Sequence, residues 1–454
     1  LTGIEEDDYM AHVDTTLADR MINLLRHLGI ERAHFAASMP RDWERLAAAH
    51  PDVIASLTLI CPMAINVVAL QSQSLPLLCV TGDRGRPAKE ADRELAQLPA
   101  ARRLVLRDYF SPPWADVILE RRDEIGRAMI EFMARFATPT VAAIGETDGE
   151  FDEITYRVRG QGAPLVLMPL ALSPSQWEPL IDQLARQFCT ISLTGVHLGM
   201  VAHLEARAQS SYMRVIDQLL SEIQLRPGHS ILEVGCGPGA IVRRLAARTR
   251  GANPIVGADV NRYLMREAAA LAKREGLERF IEFREADAEK LPFDDNRFDC
   301  TICCTVMEEG DANRMLGELV RVTRSGGKVG AVVRSIDLPR WVNLPLNKPL
   351  KQKVDDAGFF TGNVNEHGCA EASLYQRMVQ AGLTDVVMLP SWASHNAGER
   401  LAFLHDRIAG LLDGDELSEW NSATARAKAE RTFFIAEPFH CAVGLKPSGV
   451  KRKG

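Results

Sequence analysis

"ILEVGCGPGA", residues 231–240, decides how the second half of this chain folds. Apolar residues surround one acid, Glu233, and glycines then fall at alternate positions, Gly235, Gly237 and Gly239. Glycine takes positive φ without strain and carries no Cβ, so a strand ending in such a turn can lay its backbone against a ligand. The helix predicted from about 240 to 250 points its free N–H groups at the same place. The spacing is G-x-G-x-G, one residue shorter than the dinucleotide turn, and the Gly-Lys-Ser/Thr of a phosphate loop is absent. A carboxylate at the strand end suits a cationic ligand better than a pyrophosphate.

The units that follow keep the same rhythm. "PIVGADV" (254–260) reads as a strand ending in Asp259, 20 residues after Gly239, where the two oxygens of a carboxylate can accept from both hydroxyls of a ribose. "IEFREADAEKLPF" (281–293) places Asp287 at a strand end, followed by the small Ala288, a pair able to read an adenine edge. "FDCTICCTVMEE" (298–309) is a further strand, then comes a helix and "VTRSGGKVGAVVR" (322–334). Strand–helix alternation of this kind predicts an α/β fold with a parallel sheet. The ordered series of motifs resembles the class I S-adenosylmethionine-dependent methyltransferases, closely over about 205–335, with 382–390 and 432–446 resembling the family's last two strands. The resemblance implies a Rossmann-like seven-stranded domain over 205–454, S-adenosyl-L-methionine as cofactor, and methyl transfer as the activity. It also implies roles for residues. Glu233, Gly235 and Gly237, with Cys236 and Gly239 in the same turn, would border the methionine moiety. Asp259 and Val260 would meet the ribose, Asp287 and Ala288 the adenine, and Thr305 and Val306 the methyl group.

Methyl transfer is an in-line displacement, so the protein supplies alignment and exclusion of water, and a base only if the nucleophile must lose a proton. Glu308, Glu309 and His367 are candidates for that base; the two acids read equally as solvated strand-end charges, and His367 as part of a loop before a helix. Two segments, 335–360 and 398–431, read as lid insertions, the second as two helices. Trp341, Phe359, Phe360, Tyr375 and Trp392 either line a pocket there or close a small core. The strand at 298–304 is not followed by the Asn/Asp-Pro-Pro-Tyr signature of many nucleic-acid methylases, which favours a small-molecule acceptor. A non-catalytic cofactor-binding or interaction protein is the alternative; a nicotinamide oxidoreductase is disfavoured by the glycine spacing.

The chain as a whole sets limits. Its 454 residues are too many for one ordinary core, which predicts two or three domains. With 46% apolar and 25% charged residues it has the profile of a soluble globular protein. A net charge of −7 argues against a nucleic-acid footprint. The longest apolar run, 53–70, contains Ser, Thr, Pro and Asn, so no membrane span is expected. Nine scattered cysteines predict a reducing cytoplasm, and "CTICC" (300–304) reads as buried small hydrophobes alternating across a strand rather than a metal site. No metal is expected, and a homodimer is allowed.

Residues 1–136 also alternate helices and strands. "GIERAHFAASMPRDWERLAAAHPDVIASLTLICP" (29–62) resembles the nucleophile region of α/β-hydrolases, and "LPLLCVTGDRGRP" (75–87) their acid-bearing strand. The family's G-x-S-x-G elbow is here Ala36-Ala37-Ser38-Met39-Pro40, with both glycines gone. Asp83 survives, but "LRDYFSPPW" (106–114) holds no histidine, so Ser38 would lack its base. The resemblance therefore implies an incomplete, degenerate hydrolase-like domain at 1–136 with a scaffold or partner-binding role. Residues 137–204 read as a linker followed by a segment that resembles the opening strands of the same family. Either the chain is a fragment of a longer protein, which its start at Leu1 favours, or this segment completes the first sheet in permuted order.

Overall fold

The structure is a computed structural model, and it describes residues 17–38, 40–62, 65–110, 115–138, 145–170, 172–195, 198–356 and 364–448. The chain divides into two compact units, Leu1–Ala202 and His203–Gly454.

The first unit is built on one eight-stranded sheet. Its strands are β1 (Ala33–Ala37), β2 (Ile54–Ile60), β3 (Leu77–Arg84), β4 (Arg102–Phe110), β5 (Thr147–Phe151), β6 (Ile154–Arg159), β7 (Ala163–Leu167) and β8 (Phe188–Gly195), in the spatial order β4-β3-β2-β1-β7-β8-β6-β5. Every residue of β1 and β2 is buried, as expected for central parallel strands covered on both faces. β6 alternates inward and outward residues, as suits a strand near the antiparallel edge. The β5–β6 hairpin turns through Asp152 and Glu153, both at positive φ (49° and 63°), the geometry that matches strand twist in a two-residue turn. Arg20, nearly buried, bonds both of their carboxylates, at 3.1 and 2.7 Å.

The expected division at 136 and 204 therefore differs from the structure. Leu165, Val166 and Leu167 of β7 pair in parallel with His34, Phe35 and Ala36 of β1, so the strands of 147–195 and of 33–110 share one sheet. That pairing joins residues 131 apart in sequence, and it is the arrangement of the second reading above, in which this segment completes the first sheet.

The second unit carries the other sheet. Strands β9 (Ile231–Val234), β10 (Ile255–Asp259), β11 (Ile281–Glu285), β12 (Phe298–Cys304) and β13 (Thr323–Arg334) are parallel, in the order β11-β10-β9-β12-β13. β16 (Ile435–Leu445) runs antiparallel to β13, and β15 (Thr384–His395) pairs with its other edge. Seven strands were expected and eight are present. The extra one is β14 (Trp341–Val342), which pairs with Ala436 and Ile435 where β16 extends past the end of β13 at Arg334. The closing segment is one continuous strand with Pro438 inside it, opposite Trp392.

The core lies on both faces of this sheet. Ile216 and Leu219 pack on one side with Ile241 and Leu245, while Leu316 and Leu319 pack on the other with Leu232 and Val234. Cys300 and Cys304 join the first cluster and Cys303 the second, the alternation expected of "CTICC". The helices Gly398–Ala409 and Gly414–Ala429 close a separate small core around Leu404, Ile408, Trp420 and Phe433. Among the described residues no helix is long and apolar enough to cross a membrane, and no cluster of His, Cys, Asp and Glu could hold a metal.

Candidate functional site

The glycine turn leaves the C-terminal end of β9, the middle one of the five parallel strands, where open α/β sheets place their ligands. Gly235, Gly237 and Gly239 have φ of 71°, 53° and 79°. The amides of Gly235 and Cys236 both donate to the carbonyl of Ala258, at 2.7 and 3.0 Å, which ties the turn to β10. A Cβ on Gly235 would overlap the side chain of Val306. A Cβ on Gly237 would meet only Leu204 Cδ1, at 3.6 Å, so the floor of the turn is open. Gly239 caps the helix Ala240–Thr249, and the buried thiol of Cys236 lies between, pushed up by desolvation.

Glu233 is 2% exposed, and its Oε2 has no hydrogen-bond partner. Burial raises its carboxyl well above the usual range, against the opposing pull of the Val242 amide and Arg207. A buried acceptor without a donor is costly, and a cationic donor arriving at the turn would satisfy it. Asp259 Oδ2 accepts from the Gly237 amide at 2.8 Å and Oδ1 from the Asn261 amide at 2.9 Å. Burial raises this carboxyl too, held back by those amides. Each of its oxygens keeps a second lone pair for a ligand. Val260 beside it is 56% exposed. The backbone links this wall to the third unit, because the Ala286 amide donates to the Asp259 carbonyl at 2.9 Å. Asp287 itself is exposed, lies in the turn beyond β11, and accepts from the Glu289 amide at 2.8 Å; Ala288 is half-buried beside it.

Opposite the turn, Thr305 ends β12 in a left-handed conformation, φ 60°, which is uncommon for a β-branched residue. Its amide donates to Val332 and its hydroxyl to the carbonyl of Cys304, both at 2.7 Å. Contacts link the turn to Val306 through Gly235 and to Asp259 through Gly237, with Glu233 on the strand that leads into it.

The three candidate bases fall differently. Glu308 is buried; its Oε1 accepts from the Arg334 amide at 2.6 Å and its Oε2 has no partner. Burial raises its carboxyl, and Arg334 opposes the shift. Glu309 is exposed at its surface, yet desolvation raises it as well. His367 is exposed and acts through its backbone: its carbonyl accepts from the Ala312 amide at 3.1 Å and its amide donates to Asn365 Oδ1 at 3.0 Å.

Several charged groups of the second unit escaped the sequence. The Arg207 guanidinium lies over the Tyr212 ring at 4.5 Å and acts electrostatically on Glu233. Arg334, at the tip of β13, faces Glu308 and Glu309, and their charge outweighs its burial and raises it. Glu437 holds Arg400 through two bonds of 2.8 and 2.6 Å. No spacing rule connects these positions. Of the aromatics, Trp341 and Trp392 stack with centroids 4.8 Å apart, Tyr375 is exposed, and Phe359 and Phe360 lie outside the described residues. A concavity of about 540 Å³ bordered by Ser230, Pro254, Phe280 and Phe298 lies at the N-terminal ends of the strands, away from the turn.

In the first unit Ser38 follows β1 and is 2% exposed. Asp83 is committed to the backbone of β4, accepting from the amides of Asp108 and Tyr109 at 2.9 and 3.0 Å. His34 bonds Ser56 at 2.8 Å, and among the described residues no histidine bonds Ser38.

Residues 231–327 match the model of a methyltransferase-domain family. The chain is 35% identical over 117 residues to the methyltransferase GfsG of Streptomyces halstedii, covering 26% of this chain and 41% of that one. It is 33% identical over 113 residues to a sterol 24-C-methyltransferase of Gibberella zeae, covering 25% and 29%. It thus spans less than half the length of these curated relatives. The solved structure of the [4+2]-cyclase SpnF is 22% identical, with a TM-score of 0.34, and covers 52% of this chain and 81% of that one.

Proposed function

We propose that residues 203–454 bind S-adenosyl-L-methionine at the glycine turn and direct its methyl group to a small-molecule acceptor. The observation that carries this is the orphaned, buried carboxylate oxygen of Glu233 beside the open floor at Gly237. A cofactor whose methionine end carries an ammonium and a carboxylate meets complementary groups there, Glu233 for the first and Arg207 for the second. The remaining lone pairs of Asp259 suit a pair of ribose hydroxyls, and the exposed Val260 offers an apolar surface next to them. When bound, the cofactor supplies an electrophilic methyl on a sulfonium. The chain's own part is alignment. Thr305 and Val306 are fixed by β12 and by contact with Gly235, and so bound the space in which the acceptor atom must stand. Glu308, desolvated and with one oxygen free of hydrogen bonds, is the group best placed to take a proton if the acceptor must lose one.

Supporting a cytoplasmic site of action, all nine cysteines are free thiols. For the first unit we propose a scaffold or partner-binding role, because among the described residues no histidine bonds Ser38 and Asp83 accepts from two backbone amides. Titration calorimetry with S-adenosylmethionine and S-adenosylhomocysteine tests the main proposal. Wild type should bind both, and Asp259→Ala should lose at least about tenfold in affinity, the worth of a hydrogen bond to a charged group. Absence of binding by the folded wild-type protein would overturn it.

A further inference from the structure

The concavity at the N-terminal ends of the strands draws on the start of all five parallel strands of the second unit. Ser230 precedes β9, Pro254 precedes β10, Phe280 precedes β11, Phe298 opens β12 and Arg324 is the second residue of β13. The glycine turn leaves the opposite end of β9, so the two places are separate. A space of about 540 Å³ admits a small organic molecule rather than a bare ion.

Its charge is one-sided. Arg279, Arg297 and Arg324 line it, and Glu282 is the one acid among the described lining residues. Glu282 is bonded by Arg284, outside the lining. Arg324 is held by Asp299 at 2.7 Å, and the other oxygen of Asp299 accepts from the amide and the hydroxyl of Ser230, both at 2.8 Å. Arg279 and Arg297 differ from these. Both are exposed, and among the described residues neither guanidinium makes a hydrogen bond or an ion pair. Each lies on aromatic rings instead. The Arg279 guanidinium is 4.6 Å from the centroid of Phe280, and that of Arg297 is 5.0 and 5.1 Å from those of Phe293 and Phe298. Stacking occupies the face of a guanidinium and leaves its edge donors, the ones that fork onto an oxyanion.

We propose that Arg279 and Arg297 make this concavity a binding site for a phosphate monoester of a small apolar or aromatic body, with Pro254 and Phe280 as the surface for that body. Two uncompensated guanidinium charges match a phosphate monoester, which carries about −1.5 to −2 at neutral pH, better than a monocarboxylate. The stacked rings hold the two forks in place before the ligand arrives, which lowers the ordering cost of binding. This ligand is a second one, and the inference stands apart from the methyl-transfer function proposed above.

The test is titration calorimetry on the full chain with phenyl phosphate, inorganic phosphate, benzoate and phenol. Phenyl phosphate should bind saturably, one per chain, more tightly than the other three, and more weakly as salt rises. Arg279→Gln and Arg297→Gln should each weaken it about tenfold, the loss of one charge-assisted bond, with the thermal midpoint of these exposed-site variants unchanged. Arg122→Gln removes an exposed arginine of the first unit, changes the net charge equally and should leave the affinity as it is. No saturable binding, equal affinity for inorganic phosphate, benzoate or phenol, unchanged affinity in Arg279→Gln and Arg297→Gln, or an equal loss in Arg122→Gln would overturn the proposal. The comparison of the four probes is made on wild type, so it decides the matter even where a variant fails to fold.

Discussion

Glu233→Gln separates what the strand-end acid does for folding from what it does for a ligand. The substitution keeps the shape and removes the charge. In the ligand-free protein the carboxylate is 2% exposed with Oε2 unbonded, and its folded-state pKa is raised by burial. A raised acid pKa means that the folded state prefers the proton. The stability that goes with protonation is fully present below the ordinary carboxylate value and is lost as pH rises through the higher folded one. At neutral pH the charged form opposes folding, and an unsatisfied buried acceptor costs about 1–3 kcal/mol. Glutamine removes the charge but still buries an amide, so a net gain of about 1 kcal/mol is expected by urea denaturation. The same variant should lose the charge-assisted bond to the cofactor's ammonium, about 1.5–3 kcal/mol, or roughly 10–150-fold in Kd by calorimetry with S-adenosylmethionine. Wild type should also lose stability between mildly acidic and neutral pH by a margin that the variant does not show. Unchanged affinity in the variant would refute the assignment of Glu233 to the ammonium, and a large loss of stability would show that the carboxylate is structural.

Three other outcomes follow from single contacts. Gly235→Ala places a Cβ at positive φ and against Val306, so it should cost about 1–2 kcal/mol from the backbone alone, and more from the overlap, read as a lower urea midpoint. Burial by itself would raise Glu437, but Arg400 and His395 more than offset it and hold the carboxyl well below its usual range, so the stability it gives is present above the ordinary carboxylate pKa and is lost as pH falls toward the depressed one. Glu437→Gln, which removes the charge that both Arg400 bonds reach, should cost about 3–5 kcal/mol at neutral pH and flatten that acid dependence. Ser38→Ala should leave any hydrolysis of p-nitrophenyl acetate unchanged, and its loss on substitution would reinstate Ser38 as a nucleophile.

What the sequence disclosed follows from how local each feature is. The glycine turn works through the main chain of five consecutive residues, so its conformation was legible in "GCGPG" alone. Asp259 was legible because it ends the next strand, and the parallel pairing of β10 with β9 brings it beside Gly237. The extent of β16 was not, because Pro438 signals a turn locally, yet its missing N–H is tolerated within the strand, where its carbonyl still accepts from Ser335 at 3.1 Å. The first sheet was left between two readings for the opposite reason: β7 reads as a strand by itself, and only its pairing with β1 decides that it completes that sheet. The Arg400–Glu437 pair shows the limit of sequence patterns. Its members come from separate segments, 398–409 and 435–445, and each alone looks like an ordinary surface charge.

The placement of charge at the glycine turn bears on the function proposed above. Carboxylates cluster at the ends of β9 and β12, where Glu233 and Glu308 are desolvated and each keeps an oxygen without a hydrogen bond. On that proposal a sulfonium cofactor suits this region and an anionic acceptor group does not, because like charges repel most where water is excluded. The nucleophile would then be a neutral atom or one that gives its proton to Glu308. An acceptor methylated on its carboxylate oxygen would contradict this ordering.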